Sequence, residues 1–174
     1  MKTDPQAHLN TLVVDCIPRL RRYAHALFCG HEQAADDLVQ DTLERGLSRL
    51  DSWCANSSML AWLLTIMHNL YINQARRHQH GPVFENLDDQ PQELAAPPGE
   101  SPLARRELDR AMAKLSPNHR EILLLVGLEA LSYQQVAEIL DLPVGTVMSR
   151  LSRARTQLRQ HLYDDPKPSL RRVK

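Results

Sequence analysis

Three cysteines in 174 residues, at positions 16, 29 and 54, leave little room for the chemistry cysteine usually serves. An odd number without Cys-x-x-Cys spacing forms neither a complete disulfide framework nor the common zinc site. Packed or free thiols in a reducing compartment are therefore expected. The chain also lacks an apolar run long enough to span a bilayer. Its opening Met-Lys-Thr-Asp-Pro-Gln-Ala-His has no apolar core or cleavage site of a secretory leader, which points to a cytoplasmic protein that is not itself in the membrane. Eight histidines occur without i, i+4 pairing on any helical pattern, so no metal is expected, and nothing implies a cofactor. Alternating strand patterns are absent as well, which removes the βα units of a phosphorylatable receiver domain.

Net charge is zero, from 21 basic and 21 acidic residues, but this balance conceals segregation. Residues 1–79 are balanced; residues 80–102 hold five acids and no base; residues 103–174 carry an excess of five positive charges. The acidic stretch also contains five prolines and two glycines, a composition that cannot bury enough apolar surface to order itself. An all-α protein is predicted: two small helical domains joined by a flexible acidic linker, the C-terminal one carrying a helix-turn-helix. The boundaries fall at 1–79, 80–103 and 104–164, followed by a basic tail at 165–174. In the first domain, helical periodicity spans residues 12–28, with Pro18 expected to kink or break it. A second helix starts at Glu32 and ends near residues 51–52, and a third covers about 58–77. Beyond the linker lie helices at about 103–115 and 117–128. Ser116 followed by Pro117 supplies the initiation chemistry of the latter.

The segment from Ser132 to Arg155 has the form of a helix-turn-helix. Ser132 and Gln135 are spaced for a capping box. Val136, Ile139 and Leu140 give the first helix its apolar side; Val147, Leu151, Ala154 and Leu158 do so for the second. Thr146, Ser149, Arg150 and Arg153, at i, i+3, i+4 and i+7, stay outward and could meet a major groove. An ordinary amphipathic hairpin with a solvated basic face fits the same pattern.

Two polar faces stand out in the first domain. Asp37, Asp41, Glu44 and Ser48, with Gln40 beside them, form a stripe on the second helix: a solvated face, a docking surface for a basic partner, or half of a divalent-metal site like those of all-α nucleotide pyrophosphohydrolases. The last needs a second acidic helix to complete about six oxygen ligands, and none is present. The third helix offers Trp62, His68, Asn69, Asn73, Arg76 and Arg77, which suit single-stranded bases and phosphate. Core packing of Trp62 and helix-dipole compensation by Arg76 and Arg77 account for part of the same set.

Taken together, Asp36-Asp-Leu-Val-Gln-Asp-Thr-Leu-Glu-Arg45, Trp62-Leu-Leu-Thr-Ile-Met-His-Asn69, Leu115-Ser-Pro-Asn-His-Arg-Glu-Ile-Leu-Leu-Leu125 and Pro143-Val-Gly-Thr-Val-Met-Ser-Arg-Leu-Ser-Arg-Ala-Arg155 resemble, in order, the extracytoplasmic-function group of sigma-70 family RNA polymerase sigma factors. The resemblance covers about residues 10–163. It implies a non-enzymatic initiation factor that binds core RNA polymerase, on the clamp helices of the largest subunit and the flap of the second-largest, and opens promoters. It places polymerase docking at Asp37, Leu38, Gln40, Asp41 and Glu44. Recognition of the melted −10 element falls to Trp62, His68, Asn69, Asn73, Arg76 and Arg77. The −35 element falls to Gly145, Thr146, Met148, Ser149, Arg150, Ser152, Arg153 and Arg155. It further implies a controlling anti-sigma factor, membrane-bound in many cases, and no obligate homo-oligomer. The competing reading is a stand-alone helix-turn-helix regulator, which would bind its operator as a dimer.

Overall fold

A computed structural model describes residues 5–55, 57–79 and 102–163. The linker and the basic tail lie outside the described residues. Seven α-helices make up the described chain: α1 (Pro5–Phe28), α2 (Glu32–Leu47), α3 (Met59–Gln79), α4 (Pro102–Ala113), α5 (Pro117–Gly127), α6 (Tyr133–Leu140) and α7 (Val144–Tyr163), with a 3₁₀ turn at Leu50–Ser52. No strand occurs among the described residues. The first three helices pack on one another; α5 and α6 pack on α7, and α4 packs on α7 from another side.

Helix α1 differs from the expected interrupted one: it runs unbroken through Pro18. A proline at this position deprives Val14 of the amide that would have bonded its carbonyl. Pro18 is exposed and Val14 is 58% exposed, so the interruption falls on the solvent side. Leu20, Tyr23, Ala24 and Leu27 meanwhile hold the following turns in the core. The second helix stops at Leu47, earlier than its periodicity suggested, and Leu50 stays buried through the 3₁₀ turn instead.

Several predicted helix starts are realised at atomic detail. Ser116 Oγ accepts from the His119 amide, with Pro117 in the first turn. Ser132 Oγ accepts from the Gln135 amide at 3.2 Å while Gln135 Oε1 accepts from the Ser132 amide at 3.0 Å, so the capping box is complete. Helix α6 ends on Asp141 in the left-handed region (φ 50°, ψ 53°), whose amide donates to Ala137 O. This left-handed residue makes the turn that sends α7 off in a new direction.

The core does not divide at the linker. Buried residues from Val13 to Ala154 form one apolar cluster, joined where α3 meets α6 and where α1 meets α5. Within the N-terminal part, α2 and α3 approach unusually closely at Gly46. A Cβ there would lie 2.8 Å from Leu63 Cδ2 and 3.7 Å from Trp62 Cζ3, so any larger residue must displace the buried Leu63 side chain.

Burial also shapes the response to alkali. It pushes the Tyr23 phenol well above its usual 10.0, reinforced by Glu121, Tyr71 and Glu129, and raises Tyr71 and the Cys16 and Cys29 thiols. All four groups keep their protons in the folded chain at a pH where the unfolded chain releases them. Each therefore contributes stability below its unfolded pKa that is lost as pH rises through the folded value. Melting temperature is expected to fall steadily from about pH 9 upward, and Tyr23→Phe to reduce that slope in calorimetric scans.

Candidate nucleic-acid interface

On α2, Asp37, Gln40, Asp41 and Glu44 are exposed, with Gln40 donating to Glu44 Oε1 at 3.0 Å. Leu38 does not belong to this surface. It is 0% exposed and packs in the core, because it sits on the α2 side that carries Ala35, Val39 and Thr42 inward. Asp36 is diverted to structure as well: it accepts from Arg21 Nη2 at 3.2 Å and lies 3.5 Å from His25 Nε2. Asp37 and Asp41 keep free carboxylates on the open face.

Beyond the acidic residues the charge changes sign, with Arg45 one turn past Asp41 on α2 and Arg49 just after the helix, at the start of the 3₁₀ turn. Sequence reading treated the helix as an acidic stripe and passed over these two cations, although their i, i+4 spacing was the available signal. They line a groove of about 240 Å³ with Ile66, Asn69, Leu70 and Asn73 of α3. Cations, amides that both donate and accept, and apolar floor atoms in one groove match the chemistry of a nucleic-acid strand with an unstacked base.

The remaining predicted α3 residues divide. Trp62 is half-buried and packs against α2 at Gly46. His68 does not join the open groove: its Nδ1 lies 2.7 Å from Glu121 Oε1 of α5, and its side chain is 16% exposed. Arg76 and Arg77 fall in the last turns of α3, with side chains outside the described residues.

In the helix-turn-helix, Val136, Ile139 and Leu140 of α6 are buried with Val147, Leu151 and Ala154 of α7, as the periodicity predicted. Gly145, Met148, Ser149, Ser152, Arg153 and Arg155 are exposed; Thr146 and Arg150 are half-buried. A second, shallow groove of about 260 Å³ is lined by Tyr133, Met148, Leu151, Ser152, Arg155, Thr156 and Arg159. Tyr133 and Arg159 were not anticipated. Met148, at 53% exposure, is an apolar side chain on the otherwise polar open face of α7, a chemistry that would suit a thymine methyl.

No helix among the described residues is long and apolar enough to cross a membrane, and no group of three or more His, Cys, Asp or Glu residues among them could hold a metal ion. All three cysteines are free, Cys16 and Cys29 half-buried and Cys54 exposed.

Among the described residues, an all-helical fold thus carries a capped helix-turn-helix in its C-terminal half and a cation-and-amide groove in its N-terminal half, two features that suit a DNA-handling protein. Family comparison agrees with both halves. Residues 105–158 match the model for sigma-70 region 4, and residues 13–68 match the model for the sigma2 domain of PhyR. The chain is 38% identical to the ECF RNA polymerase sigma factor EcfG of Rhodopseudomonas palustris over 88% of its own length and 84% of the relative's. It is 34% identical to the RNA polymerase sigma factor YlaC of Bacillus subtilis, over 76% and 79% of the two chains. Among solved structures, the sigma factor RpoE of Bartonella quintana, crystallised with the anti-sigma factor NepR, superposes with a TM-score of 0.75 at 30% identity, covering 90% of this chain and 98% of that one. The chain belongs to the extracytoplasmic-function RNA polymerase sigma factors, which are transcription initiation factors.

Proposed function

We propose a division of labour among the three faces. Asp37, Gln40, Asp41 and Glu44 of α2 dock on a basic surface of core RNA polymerase, where complementary charge sets approach and register. The groove between α2 and α3 holds the melted −10 strand, with Asn69 and Asn73 reading an extruded base edge and Arg45, Arg49, Arg76 and Arg77 on its phosphates. Helix α7 reads the −35 element in the major groove through Thr146, Met148, Ser149, Ser152 and Arg153, while Arg150 and Arg155 contact phosphate. Residues 1–79 and 104–164 act as the two recognition domains. The polymerase performs the chemistry, in the cytoplasm, and this chain performs none. An anti-sigma factor controls access to these faces; the membrane anchoring that the resemblance implies for it is checked by fractionating that partner.

The observation that carries this reading is the presence, in the sigma order on one chain, of the exposed polar face of α7 and the α2–α3 groove. Reconstitution tests it: the purified chain with core polymerase is expected to initiate from a matched promoter, whereas neither component does so alone. Tight operator binding by a free dimer, without polymerase-dependent transcripts, would instead establish the stand-alone regulator.

Gly145 supports the placement of α7. It lies in the first turn with open space around its Cα and no positive φ, so neither packing nor backbone conformation demands glycine. On this reading, the missing side chain serves close approach of a DNA backbone. Gly145→Ala is expected to leave the fold intact or stabilise it by up to about 1 kcal/mol, while −35 duplex binding weakens in anisotropy titrations.

A further inference from the structure

A methionine is open to oxidation where its sulfur meets solvent, and burial separates the methionines of this chain sharply. Met59, Met67 and Met112 are 7%, 0% and 9% exposed and sit in the core, whereas Met148 is 53% exposed. The core has no need of Met148 where it stands. Its neighbours Val147 and Leu151 fill the inner side of α7, and Met148 shares the open face with the exposed Gly145, Ser149 and Ser152.

The surroundings give a change at this sulfur a consequence. Met148 lines the shallow groove of α7 together with Tyr133, Arg155 and Arg159. Neither arginine forms an ion pair among the described residues. A thioether is a weak acceptor, so it leaves both guanidinium groups to phosphate. A sulfoxide oxygen carries a strong partial negative charge and accepts hydrogen bonds well, and oxidation turns a flexible apolar side chain into a polar one. At position 148 that oxygen would compete with phosphate for Arg155 and replace the apolar contact to a base with an unmatched polar atom.

The step requires only a two-electron oxygen donor of the peroxide class. A sulfur lone pair attacks one peroxide oxygen, and the S–O bond forms as the O–O bond breaks. The departing hydroxide takes the proton of the transferred oxygen and leaves as water. Sulfur loses two electrons and the peroxide gains them.

We propose that Met148 is a reversible oxidation site: a peroxide converts its thioether to the sulfoxide, and the sulfoxide weakens the hold of α7 on the −35 duplex. The second clause rests on the −35 reading of α7; the first does not.

In the test, the full chain is treated with hydrogen peroxide, catalase destroys the excess, and dithiothreitol reverses disulfide and sulfenic oxidation at Cys16, Cys29 and Cys54. Peptide mass spectrometry is expected to find sulfoxide at Met148 well before Met59, Met67 or Met112. Combined with untreated core polymerase, the oxidised chain is expected to bind a fluorescent duplex carrying a matched −35 element about tenfold more weakly. Methionine sulfoxide reductases A and B should restore the affinity, since each reduces one sulfoxide epimer. Met148→Leu separates this site from every other group that peroxide touches: whatever its own starting affinity, treatment should not change it. Duplex added before peroxide should slow oxidation at Met148 alone. Oxidation no faster at Met148 than at the three buried methionines overturns the site. Sulfoxide at Met148 with undiminished duplex affinity, or an equal loss in treated Met148→Leu, overturns the consequence. An untreated complex that prefers the matched duplex no more than a scrambled one takes the second clause down with the −35 reading, while the mass spectrum still decides the site.

Discussion

Arg120→Ala is expected to lower unfolding free energy by about 3 kcal/mol, because one guanidinium serves four carbonyls at once. Its Nε donates to Met112 O at 3.0 Å, its Nη1 to Leu27 O at 2.8 Å, and its Nη2 to Ala113 O and Leu115 O at 3.0 and 3.2 Å. Met112 and Ala113 are the last two residues of α4, and Leu27 is the penultimate residue of α1. Carbonyls at helix C-termini have no partner within their own helix and carry the negative end of the dipole, so a single cation at two such ends offsets both deficits. Truncation leaves Leu27 O part-buried and without its guanidinium donor, while Met112 O keeps the Leu115 amide at 3.1 Å and Ala113 O can turn to water. For a chain of this size the corresponding fall in melting temperature is about 10 °C. Arg120→Lys should recover only a minor part, since an ammonium cannot span carbonyls arranged around a planar fork. Urea denaturation of the three proteins checks the ranking; a loss under about 1 kcal/mol for alanine would mean that water replaces the guanidinium at every carbonyl.

Reversing charge at both Asp37 and Asp41 should reduce affinity for core polymerase by about a hundredfold, with melting temperature nearly unchanged. The two carboxylates are exposed, one turn apart on α2, and neither forms an ion pair among the described residues, so the fold is expected to lose little when they change. A basic docking surface would then meet two cations in place of two anions, and like charges across an interface are more costly than a missing contact. Asp36→Arg is the informative control. That residue already serves Arg21 and His25, so its reversal should disturb α1–α2 packing and stability more than polymerase affinity. Competition binding against a labelled sigma factor measures the affinities. Equal loss for all three positions, or a loss that vanishes when stability is restored, would remove the stripe from the docking face.

The helix-turn-helix was legible because its determinants are local: a capping box within four residues and apolar positions repeating every turn need no knowledge of the rest of the chain. The acidic stripe was legible as a face, and all five of its residues are exposed; Leu38 joined the docking set only through the family resemblance, and it lies in the core although it adjoins Asp37 in sequence. Of the kink or break that propensity foretold at Pro18, the break does not occur, because tertiary packing with a solvent-facing gap carries the helix through. The contacts of Arg19, Arg22, His68 and Arg120 across the halves span 53 to 110 residues of sequence, and no periodicity encodes pairs so distant. His68 was accordingly assigned to DNA with its helical neighbours, when the nearest charge to it belongs to another helix.

The seam at Gly46 has a mechanical meaning. The proposed polymerase-docking residues sit on α2 and the base-reading amides on α3, and these helices touch where no methyl group fits. Two surfaces joined so closely have no compliant layer between them. If those assignments hold, an orientation imposed on α2 by the polymerase would pass to Asn69 and Asn73 with little slack, and the spacing between the enzyme and the opened strand would be gauged by a missing side chain.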